Sequence, residues 1–413
     1  MKKRLLLIGA TTGYQTRSFA AAAERLGYEL TLATDRCHVL DDPWGDGAIA
    51  LRFEDPAGAA AELAAEARVD GIVALGDLPA CIAALAAERL GIPYNSPDSA
   101  RAARGKFLAR ERFRAAGLLV PEFHRVPLDG NPDDAAEQAR YPCVLKPLGL
   151  SASRGVIRAN NAAEFIEAFT RIRKLLADRD ILRLDQDQAR FLLVESFIEG
   201  REFALEGILS SGKLRVLAIF DKPDPLDGPF FEETIYVTPS RESAATQDAM
   251  AGATAAAVKA LGLTHGPIHA EMRVNREGVW MLEVAARPIG GLCARVLPGL
   301  EDLILRHAAG EDGGDSAADA AAVAPAAGVM MIPIPREGIY AGVQGLAEAR
   351  SENAIEDVIV TAKPGQKLVP LPEGASYLGF IFARSESPEA VERALRNAHA
   401  RMTFEIATTL AVV

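Results

Sequence analysis

Two glutamates that interrupt neighbouring apolar segments are the residues of this sequence best suited to chemistry. Glu271 and Glu283 flank the turn-forming run Asn-Arg-Glu-Gly at residues 275–278, which predicts a β-hairpin on which the two carboxylates face each other. Burying unpaired carboxylates is costly, and two that face each other repel unless a cation lies between them. Mg²⁺ takes oxygen ligands and shares them with phosphates. We therefore predict that Glu271 and Glu283 bind a metal ion.

An arginine and a histidine lie close to this hairpin in the sequence. Arg287 follows the second segment and is placed to neutralise a phosphoryl group during transfer. The alternative is a surface hairpin on which Glu283 and Arg287 form an ordinary ion pair. His269 precedes Glu271 by two residues and shares its face of the strand. It is interpreted either as a contact to substrate or phosphate or as a structural histidine.

A lysine followed by a loop of small residues forms a second candidate site. Lys146 ends an apolar segment, and Gly149-Leu-Ser-Ala-Ser-Arg-Gly155 follows it. A lysine can contact phosphate as a point charge, and such a loop presents backbone N–H groups and the hydroxyls of Ser151 and Ser153 without bulk. The alternative is an ordinary hairpin loop with a solvated lysine.

A third candidate site follows a predicted strand that ends at Glu195. The backbone groups of Phe197 and Ile198 are candidates to pair with an adenine edge, and Glu202 is a candidate acceptor for ribose hydroxyls. The alternative is a charged hairpin, because exposed glutamates are common.

The predicted elements place these residues in several regions. Strands and helices alternate over residues 1–95, which predicts a doubly wound parallel sheet. A helix over residues 98–117 contains Lys106 and lies in a helical connection, residues 96–120. Mixed strands and helices follow over 121–197 and 198–307. An Ala/Gly/Asp-rich stretch at 308–328 is interpreted as a flexible linker or surface loop, and residues 329–413 as an α+β region.

Composition excludes several classes of protein. With 45 Lys+Arg and 56 Asp+Glu the net charge is −11, which argues against a dedicated nucleic-acid binder but allows a nucleotide site in one basic cleft. The absence of an apolar run of 18 residues argues against a membrane span. The four cysteines lack the spacing of metal ligands or of a disulfide framework. We therefore expect a cytoplasmic protein with reduced thiols.

The order of these motifs resembles the ATP-grasp superfamily over about residues 1–310. The resemblance is closest to the branch that holds bacterial L-amino-acid ligases and related carboxylate–amine ligases, and Leu-Glu-Val-Ala-Ala-Arg-Pro-Ile-Gly-Gly at residues 282–291 is similar to the signature of that branch. It implies a mixed α/β and α+β fold, in which a small lobe (121–197) and a large lobe (198–307) clamp ATP behind the N-terminal domain. The region 329–413 would then complete the large lobe or form a dimer surface.

The resemblance also implies a role for each candidate residue. ATP phosphates would be bound by Lys106 and Lys146 and covered by Ser151, Ser153 and Gly155. Adenine and ribose would be held by Glu195, Phe197, Ile198 and Glu202. One or two Mg²⁺ ions, for which Mn²⁺ could substitute, would be bound by Glu271 and Glu283. The number of ions stays open because Ala285 occupies a position where many members carry an asparagine ligand.

The function implied is ATP-dependent ligation of a small-molecule carboxylate to an amine through an acyl phosphate, with release of ADP and phosphate. The catalytic residues would be Arg287, Lys146, His269 and Glu233. Glu233 lies in the proline- and acid-rich segment 221–234, where Glu232 or Glu233 would hold a substrate ammonium unless that segment is only a surface crossover. Two alternatives are bicarbonate activation, as in biotin carboxylase, and a non-catalytic nucleotide-binding regulator. A homodimer is also considered.

Overall fold

The computed structural model describes residues 2–10, 15–35, 48–185, 187–311 and 325–408. The strands are β1 (Arg4–Gly9), β2 (Glu29–Thr34), β3 (Ile49–Ala50), β4 (Gly71–Leu75), β5 (Phe123–Pro127), β6 (Cys143–Pro147), β7 (Ile157–Ala159), β8 (Phe191–Ser196), β9 (Arg201–Ser210), β10 (Lys213–Asp221), β11 (Ile235–Thr238), β12 (Gly266–Asn275), β13 (Gly278–Ala285), β14 (Ala326–Ile332), β15 (Gly338–Gln344), β16 (Ile355–Val360), β17 (Lys367–Leu368), β18 (Gly379–Ser385) and β19 (Thr403–Ala407). The helices are α1 (Gln15–Leu26), α2 (Pro56–Glu66), α3 (Asp77–Leu90), α4 (Pro97–Arg104), α5 (Lys106–Ala115), α6 (Pro132–Gln138), α7 (Ala162–Leu176), α8 (Arg179–Leu184), α9 (Ala244–Leu261), α10 (Leu300–Ala308), α11 (Leu346–Arg350) and α12 (Pro388–Ala400).

The N-terminal region forms the predicted parallel sheet, with strand order β3-β2-β1-β4. The central strand β1 carries an unbroken apolar run because helices cover both faces of such a sheet, and Leu5 to Ile8 are fully buried. Ligands of open parallel sheets bind beyond the carboxyl ends of the strands. At that edge β4 leads through Gly76 directly into α3, whose first residue is Asp77.

The predicted helix over residues 98–117 is wrong in one respect, because Gly105 divides it into α4 and α5. Gly105 is extended, with φ −86° and ψ 100°, and the chain changes direction there. Glycine is a weak helix former because it loses the most backbone entropy. The break makes Lys106 the first residue of α5 rather than an interior helical residue.

The small lobe is a four-stranded antiparallel sheet, with order β5-β8-β6-β7. One face is covered by α7, which buries Phe165, Phe169 and Ile172 against it. The register pairs Lys146 on β6 with Leu193 on β8, and both strands end near the cavity described below.

The large lobe is built on eight of the described strands, in the order β13-β12-β9-β10-β11-β14-β18-β16. Strands β14, β18 and β16 come from the C-terminal region, and β14 pairs antiparallel with β11. Helix α12 packs on β14 and β18. The C-terminal region therefore completes the large-lobe sheet, which is one of the two roles considered for it. Its remaining strands, β15, β17 and β19, form a separate sheet.

The structure describes only part of the predicted linker at 308–328. Residues 312–324 lie outside the described residues, while α10 ends at Ala308 and β14 already begins at Ala326. Among the helices that the structure describes, none combines the length and apolar character needed to cross a membrane.

Candidate active site

A cavity of about 760 Å³ lies between the N-terminal domain, the two lobes and the C-terminal region. It is lined by almost every residue predicted for the site: Lys106, Lys146, Ser151, Ser153, Glu195, Phe197, Ile198, Glu202, Glu233, His269, Glu271, Glu283 and Arg287. The volume is within the range of small-molecule sites. Residues that are distant in the sequence thus meet at one place.

Gly155 is the predicted site residue that does not line this cavity. Its φ of 72° is left-handed, and a Cβ there would lie 2.6 Å from Cγ of Pro147. Its amide donates a hydrogen bond of 2.7 Å to the carbonyl of Pro372. Gly155 therefore permits the turn of the loop and fastens it to the C-terminal region, instead of facing a ligand.

The Gly/Ser loop presents hydroxyls to the cavity, which is also lined by two lysines from outside the loop, Lys106 and Lys146. Ala152 and Ser153 both have positive φ, and Lys106 Nζ donates a hydrogen bond of 2.5 Å to the Leu150 carbonyl. The side chain of Lys146 is only 15 % exposed, so the alternative of a solvated lysine is wrong. Two ammonium groups beside small hydroxyl-bearing residues are suited to phosphate oxygens.

Glu195 pairs with two cations beside the cavity. Its carboxylate is buried and contacts Arg110 Nε at 2.6 Å and Lys146 Nζ at 2.5 Å. Burial alone would raise the pKa of Glu195, but these two cations lower it to about 2. Since both oxygens are engaged, Glu195 orients Lys146, and the adenine contact expected for it stays a prediction.

The backbone expected to pair with adenine is partly occupied. The Phe197 amide donates to the Pro142 carbonyl at 3.1 Å, and the Ile198 carbonyl accepts from Arg273 Nη1 at 2.7 Å. The Phe197 amide is therefore occupied, whereas the Ile198 carbonyl keeps a second lone pair, and pairing of this backbone with adenine stays a prediction. The Ile198 amide has no acceptor within the described part of the chain, so it is the group of this segment that can still donate.

A buried lysine that the sequence interpretation missed lies among three carboxylates. Lys222 Nζ is 2.9 Å from Glu202 Oε1 and 3.3 Å from Glu271 Oε1, and it also contacts the Glu233 carboxylate. The other oxygen of Glu202 accepts from Arg273 Nε at 3.0 Å. Glu202 is therefore paired through both oxygens, and its role as a ribose acceptor stays a prediction. Lys222 follows a buried strand directly, the same signal that pointed to Lys146.

The charged groups of this cluster shift one another's pKa values. Burial and the negative charge of Glu271 raise the pKa of Glu233 to about 7. Burial would also raise the pKa of Glu271, but Lys222 and His269 hold it well below its usual value. Burial opposes the charge of Lys222, yet the surrounding carboxylates raise its pKa. Glu202, Glu233 and Glu271 are close enough to share a cation, and here the Lys222 ammonium occupies that role.

The predicted carboxylate pair fits a divalent cation. Glu271 and Glu283 are directly opposite across the β12–β13 hairpin, next to a bulge, and both line the cavity. Glu283 has one ion-pair contact among the described residues, Lys106 Nζ at 3.9 Å from its Oε2, so its oxygens can still ligate. Two carboxylates are the hard oxygen donors that Mg²⁺ takes.

The alternative of a surface ion pair between Glu283 and Arg287 is wrong. Arg287 Nε donates a hydrogen bond of 2.8 Å to Asp77 Oδ1, and its side chain is 14 % exposed. Burial would lower the pKa of Arg287, but Asp77 and then Glu283 raise it further above its already high value. The arginine is a fixed cation at the cavity.

His269 is held by carboxylates through both ring nitrogens. Nδ1 lies 2.5 Å from Glu206 Oε1, and Nε2 lies 3.2 Å from Glu271 Oε1. Burial alone would lower the pKa of His269, but Glu206 and Glu271 raise it to about 9. With no free ring nitrogen, His269 positions Glu271 rather than contacting substrate through its ring.

Three family models match the chain. The model described as an ATP-grasp domain matches residues 139–296, an ATP-grasp N-terminal domain matches 20–94, and an L-amino acid ligase C-terminal domain 2 matches 330–407. The first begins after β5 and α6, so it covers most of the small lobe and most of residues 198–307, including the residues of the cavity from Lys146 to Arg287.

Curated relatives and a solved structure give a consistent picture. Alanine–anticapsin ligase of Bacillus subtilis (strain 168) is 28% identical over 235 residues, which is 54% of this chain and 49% of that protein. Dapdiamide A synthase of Enterobacter agglomerans is 28% identical over 202 residues, 48% of this chain and 45% of that protein. These matches thus span about half the length of the curated relatives. The crystal structure of an L-amino acid ligase from Bacillus licheniformis superposes with a TM-score of 0.80 at 26% identity, covering 98% of this chain and 99% of that one.

Proposed function

Because this chain belongs to the ATP-grasp superfamily, we propose that it is an ATP-dependent carboxylate–amine ligase that forms a peptide or amide bond between small molecules, at least one of them an amino acid. The observation that carries the proposal is the meeting of Lys106, Lys146, Glu271, Glu283 and Arg287 at one cavity. The names of the relatives, which are ligases and a synthase, support the same reaction class.

In this proposal the small and large lobes hold the nucleotide between them. Lys106 and Lys146 bind phosphate oxygens, and the hydroxyls of Ser151 and Ser153 cover them. The Ile198 amide donates to adenine. Glu271 and Glu283 would hold Mg²⁺, with Mn²⁺ as a possible substitute, and a bound ion would neutralise charge on the phosphates.

The proposed reaction has two steps, phosphoryl transfer to the acid and attack by the amine. A carboxylate oxygen of the acid attacks the γ-phosphorus of ATP, and the bond to the ADP oxygen breaks, giving an acyl phosphate. The amine nitrogen then attacks the acyl carbon, the carbon–oxygen bond to phosphate breaks, and the nitrogen loses a proton. Arg287 neutralises the charge on the transferred group, as expected when catalysis is mainly positioning and electrostatics. The Glu233 carboxylate would bind the substrate ammonium while it also pairs with Lys222.

Water must be kept from the acyl phosphate, because it hydrolyses. The cavity is bordered by the N-terminal domain, both lobes and residues 375–377 of the C-terminal region, so these parts can together enclose the intermediate. The Gly/Ser loop is the proposed moving part, and closing loops commonly set the rate of such enzymes.

The proposal is tested by incubating the purified protein with ATP, Mg²⁺ and pairs of L-amino acids. ADP, phosphate and a ligated product seen by mass spectrometry are expected in equal amounts, and only when both substrates are present. Release of AMP would contradict the proposal. ATP hydrolysis that depends on bicarbonate alone would favour the biotin-carboxylase-like alternative, and nucleotide binding without turnover would favour a regulator.

A cytoplasmic location goes with this proposal, because the reaction consumes ATP. A homodimer stays a prediction, and light scattering of the full chain measures it.

A further inference from the structure

A buried carboxylate behind the cavity has no role in the mechanism above. Glu206 on β9 is 1 % exposed and does not line the cavity. Its Oε1 lies 2.5 Å from His269 Nδ1, and its Oε2 accepts a hydrogen bond of 3.2 Å from the Ile289 amide. Burying a carboxylate costs free energy unless both oxygens are paired, and here both are.

The first of these contacts leads to the metal-binding carboxylates. The β9–β12 register pairs Glu206 directly with His269, and the other ring nitrogen of His269 meets Glu271 Oε1 at 3.2 Å. Because ionised carboxylates only accept, His269 donates from both nitrogens. Glu206 thus fixes the ring, and the ring fixes one oxygen of Glu271.

The second contact leads to the segment that begins with the site arginine. Ile289 lies two residues after Arg287, and its carbonyl accepts from Gln15 Nε2 at 2.5 Å. The backbone at Ile289 is therefore held on one side by Glu206 and on the other by α1 of the N-terminal domain. Arg287 itself is held by Asp77 of the same domain.

We propose that Glu206 is a positioning residue that sets the spacing between Glu271 and the backbone carrying Arg287. The inference rests on the proposed function, since it assigns Glu271 to a metal ion and Arg287 to the transferred group. Groups that orient metal ligands from behind typically change metal affinity by about 10- to 100-fold when they are removed. A glutamine of the same size has one acceptor oxygen, so it cannot accept from both His269 and Ile289.

The experiment compares Glu206→Gln, His269→Gln and the double variant with the wild-type protein. Binding of ADP is measured by calorimetry with and without Mg²⁺, and kcat and KM are measured for ligation. Both single variants are expected to lose about 10-fold or more of the Mg²⁺-dependent part of ADP affinity, while metal-free ADP binds as in the wild type. The double variant is expected to be no weaker than Glu206→Gln, because both changes break the same chain of contacts. Glu206→Gln alone is also expected to lower kcat, through Ile289.

Asp221→Asn is the matched control for loss of stability. Asp221 is a buried carboxylate on β10 that accepts from Ser240 and Arg241, and it does not line the cavity. Its partners, Ser240 and Arg241, are not shared with Lys222, which contacts Glu202, Glu233 and Glu271. The control is expected to lower the melting temperature without changing the Mg²⁺ dependence.

The results distinguish a wrong role for Glu206 from a wrong proposed function. If the wild type ligates substrates but Glu206→Gln binds Mg²⁺ and ADP unchanged, or the two changes add, the role of Glu206 is wrong and the proposed function stands. If Glu206→Gln only loses stability, as the control does, the role is equally wrong. If the wild type shows no Mg²⁺-dependent ADP binding, the proposed function fails and this inference fails with it.

Discussion

Asp77 and Arg287 lie 210 residues apart in the sequence, and the Asp77 carboxylate accepts a hydrogen bond from the Arg287 guanidinium at 2.8 Å. Asp77 is the first residue of α3 in the N-terminal domain, whereas Arg287 follows the hairpin of the large lobe. Arg287 Nη1 donates to the Pro288 carbonyl at 3.1 Å, and Nη2 has no partner within the described ranges. The N-terminal domain therefore aims the arginine, although it supplies none of the predicted metal or phosphate ligands.

Replacing Asp77 should impair the chemical step more than nucleotide binding. Asp77→Asn keeps the shape but removes the charge, and hydrogen bonds to charged groups contribute roughly 1.5–3 kcal/mol, which corresponds to about 10- to 100-fold in kcat. Steady-state kinetics with a ligated amino-acid pair measures the loss, and KM for ATP should change little. Asp70→Asn, which removes a half-exposed partner of Arg4 in the same domain, should leave kcat unchanged. Equal kinetics for the two variants would refute the role of Asp77.

Removing the charge of Glu283 should stop turnover without unfolding the protein. Glu283→Gln keeps the size of the side chain but weakens metal binding, so kcat is expected to fall by about 100-fold or more. The melting temperature should stay near that of the wild type, because Glu283 makes one long ion-pair contact in the described structure. Glu277→Gln, in the exposed hairpin turn, is the control. Full activity of Glu283→Gln would show that the metal assignment is wrong.

Lys222 should matter for stability as well as activity. Lys222→Met leaves Glu202, Glu233 and Glu271 close together with no ammonium among them, and breaking a buried ion pair costs about 3–5 kcal/mol. Urea unfolding measures this free energy, and Mg²⁺ is expected to restore part of it by taking the place of the ammonium. Lys213→Met at the exposed start of β10, the strand that precedes Lys222, should cost about 0.5 kcal/mol or less. Similar losses for the two lysines would contradict the cluster.

We expect the contact between Arg171 and Glu373 to keep the amount of ATP consumed equal to the amount of product formed. Arg171 Nε and Nη2 donate to the two Glu373 oxygens at 2.9 and 3.0 Å, beside the contact from Gly155 to Pro372. Both side chains are more than a third exposed, so Arg171→Ala should cost about 1 kcal/mol at most.

Arg171→Ala should loosen the Gly/Ser loop and admit water to the acyl phosphate. The amount of phosphate released per molecule of product should therefore rise by about twofold or more. Lys174→Ala on the same helix is the control, and the reversed pair Arg171→Glu with Glu373→Arg should restore the ratio. A ratio unchanged in Arg171→Ala would rule out this role.

Acid should weaken the fold at the contact between two histidines. The rings of His265 and His307 lie 4.3 Å apart, and the Gly266 amide donates to His307 Nε2. Burial, and then the charge of His307, lower the pKa of His265 from 6.5 to about 4. The fold favours the neutral ring, so this contribution is complete above pH 6.5 and is lost as the pH falls towards 4.

Urea unfolding of the wild type and of His265→Gln between pH 7 and pH 4 measures this effect. The free energy of unfolding should decline with acid in both proteins, because carboxylates also titrate, but less steeply in the variant. Parallel curves would contradict the assignment to His265.

The sequence predicted those residues of the cavity whose signal is local. Lys146, Glu271 and Glu283 are charges that end or interrupt apolar strands, and a buried charge needs a partner wherever the strand lies. Lys222 carried the same signal and was missed because it was taken as part of a loop. By contrast, the pairing of Glu195 with Arg110 and of Glu206 with Ile289 depends on how elements pack. No local pattern encodes such contacts.

For the fold as well, the local elements were predictable from the sequence and the long-range pairings were not. Alternating elements indicated the parallel N-terminal sheet, and a turn run indicated the β12–β13 hairpin. The break at Gly105 was hidden by strong helix formers on both sides, and the joining of β14 to β11 is a long-range pairing. A distant strand joins a sheet edge whose backbone N–H and C=O groups are still unpaired, and the local sequence does not show which edge that is.

The shared sheet of the large lobe has a consequence for how such proteins diversify. The matched ATP-grasp domain ends at residue 296 and the matched C-terminal domain starts at 330, yet β14 closes the edge of β11 across that boundary. The same C-terminal region supplies Tyr377 to the wall of the cavity. Gene recombination at this boundary would therefore exchange a piece of the ligand pocket together with an obligatory strand. Ligand preference and foldability would be inherited as one unit.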